Sequence, residues 1–185
     1  MKLLVYGSKE FGRVVKELVH DAGHECAGFI DDSSEGPGII GTYDEARRAF
    51  PPGPSIGVVV AVGYDHLAAR WNLFQRIKAD GYAVPALVHR AAIVARDVRI
   101  GEGAIVMAGA NVDVFSEIGE LTVIWPGAIV SHDCRVGRNS FVSPGATLCG
   151  FVTTGPGCFI GAGAVIVDHR SVPEGGFVKA GSLYV

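Results

Sequence analysis

The sequence has no apolar run near the roughly 18 residues that a membrane-spanning helix needs, so no membrane contact is predicted. Charge is scarce: 16 Lys+Arg against 19 Asp+Glu give a net charge of −3, without the basic excess typical of nucleic-acid binding. The chain begins with strand-like Lys2–Tyr6 and lacks a signal-peptide layout. Its four cysteines have no CxxC spacing, and the three within the repeats described next are expected to be buried, reduced thiols. These absences together indicate a cytoplasmic protein.

What the sequence does contain is a hexapeptide repeat between Val94 and Val178. All but one of the positions at this spacing are aliphatic, and Thr154 is the exception. The aliphatic members are Val94, Ile100, Val106, Val112, Ile118, Ile124, Val130, Val136, Val142, Leu148, Ile160, Ile166, Val172 and Val178. The residue four positions further on is usually small, as at Ala104 and Ala128. A period of six fits neither an amphipathic helix nor a two-faced strand, and it is typical of a hexapeptide β-helix.

In such a fold three hexapeptides close one coil, so the repeat predicts five coils. The aliphatic side chain points inward and stacks on its equivalent in the next coil, while the small residue fits the corner. An ordinary sandwich would space its strands irregularly, and this register holds without a slip.

The region before the repeats alternates strands with helices, which predicts a small parallel sheet. Strands are expected at Lys2–Tyr6, Glu25–Ile30, Ile56–Val62 and Tyr82–Val88, and Ser33–Gly41 reads as a loop. We therefore predict an α/β domain with a βαβ, Rossmann-like half fold at residues 1–88, followed by a β-helix domain at residues 89–185.

Two features of the first domain favour nucleotide binding. Gly7 and Gly12 flank the turn after the first strand, and Asp31 and Asp32 end the second strand, where an acid can hold a ribose hydroxyl. The GxGxxG fingerprint is absent because Lys9 replaces its second glycine. The sheet is also about half the size of a dinucleotide fold, which disfavours an NAD-dependent oxidoreductase. A mononucleotide-bearing ligand fits better, and an ordinary strand–helix turn with solvated acids stays open.

The catalytic candidate is His132, two positions after inward-pointing Val130 and therefore able to face outward at a corner. A neutral imidazole is a suitable base near pH 7, and Asp133 is placed to orient it. Gly150 lies one coil later, about 4.8 Å along the axis, where its N–H is a candidate oxyanion donor. A solvated His–Asp pair and a simple turn glycine are the alternatives.

The order of the two domains resembles the PglD/NeuD-like family of sugar acyltransferases, which have a left-handed parallel β-helix of hexapeptide repeats. The resemblance covers essentially the whole chain. It is carried by Tyr6–Gly12, Asp31-Asp32, Ala61-Val62-Gly63 and the segment Gly127–Cys134, which matches the family's catalytic histidine and the acid after it. Glu10 and Phe11 depart from the family's glycine and histidine in the first loop.

The resemblance implies roles for further residues. Substrate contacts are expected at Gly7, Ser8, Lys9, Gly12, Asp31, Asp32, Gly63 and Arg70. Acyl-CoA contacts are expected at Phe141, Gly150, Ala162, Gly163, Ala180 and Gly181, although Phe141 stands where several relatives have histidine. The family also implies a homotrimer with active sites between neighbouring chains, acetyl-CoA as the acyl donor, and no metal.

The expected function is an acetyl-CoA-dependent N-acyltransferase that acts on the amine of a nucleotide-linked amino sugar, with His132 as general base. O-acetylation of a sugar such as sialic acid is the close alternative. A nucleotide-sugar-binding scaffold without catalysis is an alternative of another class, motivated by Glu10, Phe11 and the short C-terminus.

Overall fold

The computed structural model describes all 185 residues, which form two compact units, Met1–Pro85 and Ala86–Val185. The sequence placed the division after residue 88. Leu87–Val88 already pairs with a strand of the second unit, so the division in the structure comes slightly earlier in the chain. No helix of either unit is both long enough and apolar enough to cross a bilayer.

The first unit is a four-stranded parallel sheet with helices between its strands. In chain order its elements are β1 (Lys2–Tyr6), α1 (Glu10–Asp21), β2 (Glu25–Ile30), β3 (Ile39–Gly41), α2 (Tyr43–Ala49), β4 (Ile56–Val60), a 3-10 turn (Tyr64–His66) and α3 (Leu67–Ala79). The strand order is β3-β2-β1-β4, so the two apolar strands β1 and β4 lie side by side. Residues 3–5 of β1 and 57–60 of β4 are buried, as expected for a sheet covered by helices.

Two predictions of secondary structure in this unit are wrong, one for a loop and one for a strand. Ile39–Gly41 is a short edge strand rather than part of a loop, because its backbone pairs with Phe29 and Ile30 despite the surrounding glycines. Tyr82–Val88 is not one strand. Ala83 forms only an isolated bridge with Gly57, and Leu87–Val88 belongs to the second unit.

The second unit is a left-handed parallel β-helix with three faces. Face 1 contains β5 (Leu87–Val88), β8 (Ile105–Val106), β11 (Val123–Ile124), β14 (Phe141–Val142), β17 (Phe159–Ile160) and β20 (Phe177–Val178). Face 2 contains β6 (Ile93–Val94), β9 (Asn111–Val112), β12 (Ile129–Val130), β15 (Thr147–Leu148), β18 (Val165–Ile166) and β21 (Leu183–Tyr184). Face 3 contains β7 (Arg99–Ile100), β10 (Glu117–Ile118), β13 (Arg135–Val136), β16 (Thr153–Thr154) and β19 (Ser171–Val172).

The hexapeptide repeat determines this architecture directly. Every aliphatic residue of the repeat is the second member of a short strand, and successive coils pair in register, as Val130 does with Leu148. The inward side chains form one continuous apolar core. The exception, Thr154, is buried, and its hydroxyl accepts a hydrogen bond from the Gly137 N–H at 3.0 Å. A buried hydroxyl with a partner avoids the free-energy cost of an unsatisfied one.

The cysteines are all free thiols. Cys134 and Cys158 are buried at corner positions, and each thiol donates to a carbonyl of the following coil, at 3.0 Å to Cys149 and 3.1 Å to Pro173. Cys149 is partly exposed, so the expectation of burial is wrong for that residue, because Val152 fills the buried position of its turn.

Candidate active site

His132 lies in the turn Ser131–Cys134, which joins face 2 to face 3. We call the stacked turns 113–116, 131–134, 149–152 and 167–170 the histidine corner. The His132 side chain is 47% exposed, and its Nδ1 lies 2.9 Å from Oδ2 of Asp133. Since an ionised carboxylate only accepts hydrogen bonds, Nδ1 carries the proton in this pair and Nε2 is left as the free base. The sequence placed His132 outward at a corner, and the structure has it there.

Gly150 lies directly beneath this imidazole. A Cβ built on Gly150 would be 2.7 Å from Cε1 and 2.8 Å from Nε2 of His132, so only glycine leaves room for the ring in this position. Gly150 is buried, and its N–H donates no hydrogen bond within the chain. A backbone N–H that is unused within the chain is able to donate a hydrogen bond to a reacting carbonyl oxygen as negative charge develops on it.

Two aromatic residues of the same corner complete the surroundings of His132, and sequence reasoning missed both. The Phe151 ring meets the His132 ring edge-on, with centroids 5.2 Å apart and planes at 88°. On its other side it stacks on His169 at 4.6 Å. Residues 133, 151 and 169 are spaced one coil apart along the chain. Counting coils from Asp133 in the sequence therefore identifies Phe151 and His169 as its neighbours at this corner.

The residues predicted to bind acyl-CoA do not gather around His132 within one chain. Ala162, Gly163, Ala180 and Gly181 are exposed in the turns that join face 1 to face 2, at the opposite edge of face 2 from His132. Phe141 lies on face 1 and is 1% exposed, which leaves almost no surface for a ligand. Gly150 is the one member of the predicted set that lies beside His132.

The first unit contains a cavity of about 440 Å³ at the carboxyl ends of its central strands, within the size range of small-molecule sites. Six of the predicted substrate residues line it: Gly7, Ser8, Lys9, Asp31, Asp32 and Gly63. Tyr6, Ser33, Asp65 and His66 also line it and were not predicted, and Glu10 and Phe11 complete the loop that differs from the family pattern.

Gly12 and Arg70 do not line the cavity. A Cβ on Gly12 would be 1.9 Å from the Gly7 carbonyl oxygen, so this glycine permits close packing of α1 on the preceding turn. Arg70 is fully buried in α3, and burial lowers the pKa of its guanidinium to about 9. Sequence position alone does not reveal that this arginine points into the interior.

The two acids of the cavity are held by neighbouring groups. Asp31 accepts hydrogen bonds from the N–H and hydroxyl of Ser8 and from the N–H and hydroxyl of Ser33. Burial would raise the pKa of Asp31, but these four bonds outweigh burial and lower it to about 2. Asp32 accepts from the Tyr43 N–H at 2.8 Å and from the Tyr6 hydroxyl. Both acids thus connect β2 to neighbouring elements at the cavity wall.

We expect the Asp31 carboxyl to remain ionised at pH 3 in the folded protein and to titrate near pH 2. Because folding lowers the pKa of Asp31, its ionised carboxylate stabilises the folded protein fully above about pH 4. This stabilisation is lost as the pH falls toward 2. Carboxyl ¹³C chemical shifts measured against pH test this, with Ser8→Ala expected to raise the pKa. An Asp31 titration near the ordinary value in the wild type would contradict the hydrogen-bonding pattern.

Comparisons with known proteins agree with both units. Residues 2–77 match the PglD N-terminal domain, and residues 115–150 match the bacterial transferase hexapeptide (six repeats). The acetyltransferase domain of PglB from Neisseria gonorrhoeae, solved with acetyl coenzyme A, is 32% identical with a TM-score of 0.92, covering 100% of this chain and 90% of that one. PerB from Caulobacter crescentus, solved with CoA and GDP-perosamine, is 28% identical with a TM-score of 0.90, covering 100% of this chain and 89% of that one. No curated protein sequence gives a significant match.

The β-helix and its turn-borne histidine, together with these matches, define a hexapeptide-repeat acyltransferase. Since one relative is 32% identical over the whole of this chain, the assignment can be narrower. The chain belongs to the PglD-like family, as the sequence motifs indicated. No group of three or more His, Cys, Asp or Glu side chains is arranged to hold a metal ion.

Proposed function

We propose that this protein transfers the acetyl group of acetyl-CoA to the amine of a nucleotide-linked amino sugar. The observation that carries the proposal is the position of His132, with Asp133 on Nδ1 and the Gly150 backbone, whose N–H is unused within the chain, against its ring. Relatives solved with acetyl coenzyme A, and with CoA and GDP-perosamine, support the choice of both substrates.

His132 acts as the general base. The sugar amine attacks the thioester carbonyl carbon, and Nε2 of His132 takes the proton that the nitrogen loses as the C–N bond forms. Asp133 accepts the Nδ1 hydrogen bond, which holds the imidazole in the required tautomer and stabilises its protonated form.

Gly150 stabilises the negative charge that develops during this attack. Its N–H donates to the carbonyl oxygen as that oxygen becomes an oxyanion. The intermediate then collapses, the C–S bond breaks, and coenzyme A leaves as a thiolate that regains a proton. The products are an amide and free coenzyme A.

Transfer is direct, without an acyl-enzyme. The thiol nearest in sequence, Cys134, is fully buried and donates to the Cys149 carbonyl, and burial raises its pKa to about 11. A thiol in this state contains very little thiolate near pH 7, and the thiolate is the nucleophilic form.

The cavity of the first unit holds the nucleotide. Lys9 precedes the first turn of α1, and no side chain caps this end of the helix. The N–H groups of the first turn can therefore bind phosphates, and the Lys9 side chain adds a positive charge. Asp31 and Asp32 offer acceptor oxygens for ribose or base donors. Glu10, in place of the family's glycine, adds a carboxylate to the same wall.

The acyl-donor site requires a second copy of the chain, and we propose a homotrimer. Ala162, Gly163, Ala180 and Gly181 are separated from His132 by the width of face 2, so one chain does not bring donor and base together. Face 2 also exposes apolar side chains, with Ile93 at 65%, Ile129 at 40% and Leu183 at 64%. Burying these side chains against a neighbour would place the glycine-rich turns of one chain beside His132 of another.

The function is tested by incubating the protein with acetyl-CoA and amino sugars linked to UDP, dTDP or GDP. We expect one nucleotide class to give an acetylated product that survives mild base, as an amide does. A product that mild base destroys would instead identify an ester and the O-acetyltransferase alternative. No product with any acceptor, together with measurable nucleotide-sugar binding, would favour the non-catalytic scaffold.

A further inference from the structure

The histidine corner differs in its backbone from the corner that joins face 1 to face 2. Four of its turns place a residue other than glycine in the left-handed region, at Phe115, Asp133, Phe151 and His169, with φ between 58° and 62°. At the corner joining face 1 to face 2, the residues in this region are all glycines: Gly109, Gly127, Gly145, Gly163 and Gly181. A bulky side chain in this region costs conformational free energy that glycine avoids, and Leu121 and Asn139 adopt the same region at the corner joining face 3 to face 1.

Two members of this set contact His132: Asp133 through a hydrogen bond and Phe151 through its ring. The Phe151 ring lies between two imidazoles, with the His132 centroid at 5.2 Å and the stacked His169 ring at 4.6 Å and 5°. Backbone hydrogen bonds fix the three turns relative to one another, since the Phe151 N–H donates to His132 O at 3.1 Å and the His169 N–H donates to Gly150 O at 3.0 Å. The phenyl ring is thus held on a rigid support beside the imidazole.

The position of His132 depends on few other contacts. Its side chain is 47% exposed, one hydrogen bond joins it to Asp133, and the Gly150 backbone lies beneath it. The hydrogen bond to Asp133 restrains Nδ1. The Phe151 ring adds a further restraint on the imidazole, because aromatic rings favour a perpendicular contact at this distance.

We infer that Phe151 is a positioning residue, which holds His132 with Nε2 over Gly150 and is itself supported by stacking on His169. The inference rests on the proposed role of His132 as base. It predicts that losing the phenyl ring lowers the rate of the chemical step without weakening nucleotide-sugar binding, because Phe151 does not line the cavity of the first unit.

The test replaces Phe151 with asparagine, which tolerates the left-handed backbone and removes only the ring. We expect kcat to fall about 10-fold with both KM values unchanged, because a displaced base loses its alignment with the reacting amine. Phe151→Tyr, which keeps the ring, should retain wild-type kcat. Phe115→Asn is the matched control, since Phe115 has the same backbone conformation at the same corner, is 67% exposed and makes no ring contact with His132.

A double-mutant cycle separates positioning from other effects. In a His132→Asn background, Phe151→Asn should cause no further loss of kcat. An equal loss in both backgrounds, or no loss in the wild-type background, would overturn the inference.

The mobility of the His132 Cε1–H group, measured by ¹³C relaxation, gives a readout that does not require turnover. Phe151→Asn should increase this mobility, and an unchanged value would overturn the inference even if the proposed reaction proved wrong.

Discussion

Replacing Gly150 with alanine is expected to lower kcat by about 10²-fold while leaving the melting temperature nearly unchanged. The added Cβ would lie 2.7 Å from Cε1 and 2.8 Å from Nε2 of His132, so the imidazole must move away. Alanine retains the backbone N–H, so the oxyanion donor remains. The loss therefore reports the position of the base, measured as the steady-state rate of thiol release from acetyl-CoA.

Stability should survive because the group that must move is the end of a side chain. Gly150 does not have a positive φ, so alanine does not strain its backbone. Gly137 is different, since a Cβ there would be 2.3 Å from the carbonyl oxygen of Gly155, which belongs to the backbone of the next coil. Gly53→Ala is the matched control, because its Cβ meets nothing within 4 Å and its φ is ordinary. Full activity in Gly150→Ala would mean that catalysis does not use His132 in this position.

Replacing His132 with asparagine is expected to lower kcat by about 10²–10⁴-fold, the range typical of general-base removal. Asparagine is polar and of similar length, but its amide does not accept a proton near pH 7. The nucleotide-sugar affinity should not change, because the residues lining the cavity of the first unit do not include His132. Rates at saturating substrates and calorimetric titration with the nucleotide sugar measure the two quantities separately.

His20→Asn serves as the control for this variant. His20 is an exposed histidine in the last turn of α1 and does not line the cavity. Its replacement should leave kcat within about twofold of the wild type, since surface substitutions rarely alter function or stability. A His132→Asn enzyme with wild-type kcat would show that another group removes the proton.

The β-helix was predictable because one constraint repeats. Each inward side chain, such as Val130, stacks on its equivalent one coil later, so the sequence carries the same signal at every coil. The same counting locates Gly150 one coil after His132. It also places Ala162 at a different corner from His132, since their separation along the chain is not a whole number of coils.

The first unit was less predictable because its contacts join residues without a fixed spacing. Ile39–Gly41 becomes a strand only through pairing with Phe29 and Ile30, across a loop rich in glycine. Arg70 follows the family pattern, yet its side chain is buried in the helix layer and does not line the cavity. The hydrogen bonds that hold Asp31 come from Ser8 and Ser33, and only the folded turn brings Ser8 to this carboxylate.

The central claim is that this protein acetylates an amine carried by a nucleotide sugar. The most direct measurement is thiol release from acetyl-CoA in the presence of a nucleotide-linked amino sugar, compared with the same nucleotide sugar bearing a hydroxyl in place of the amine and with no acceptor. We expect release with the amine alone, in an amount equal to the amide formed. Equal release without an acceptor, or release with the hydroxyl analogue alone, would contradict it.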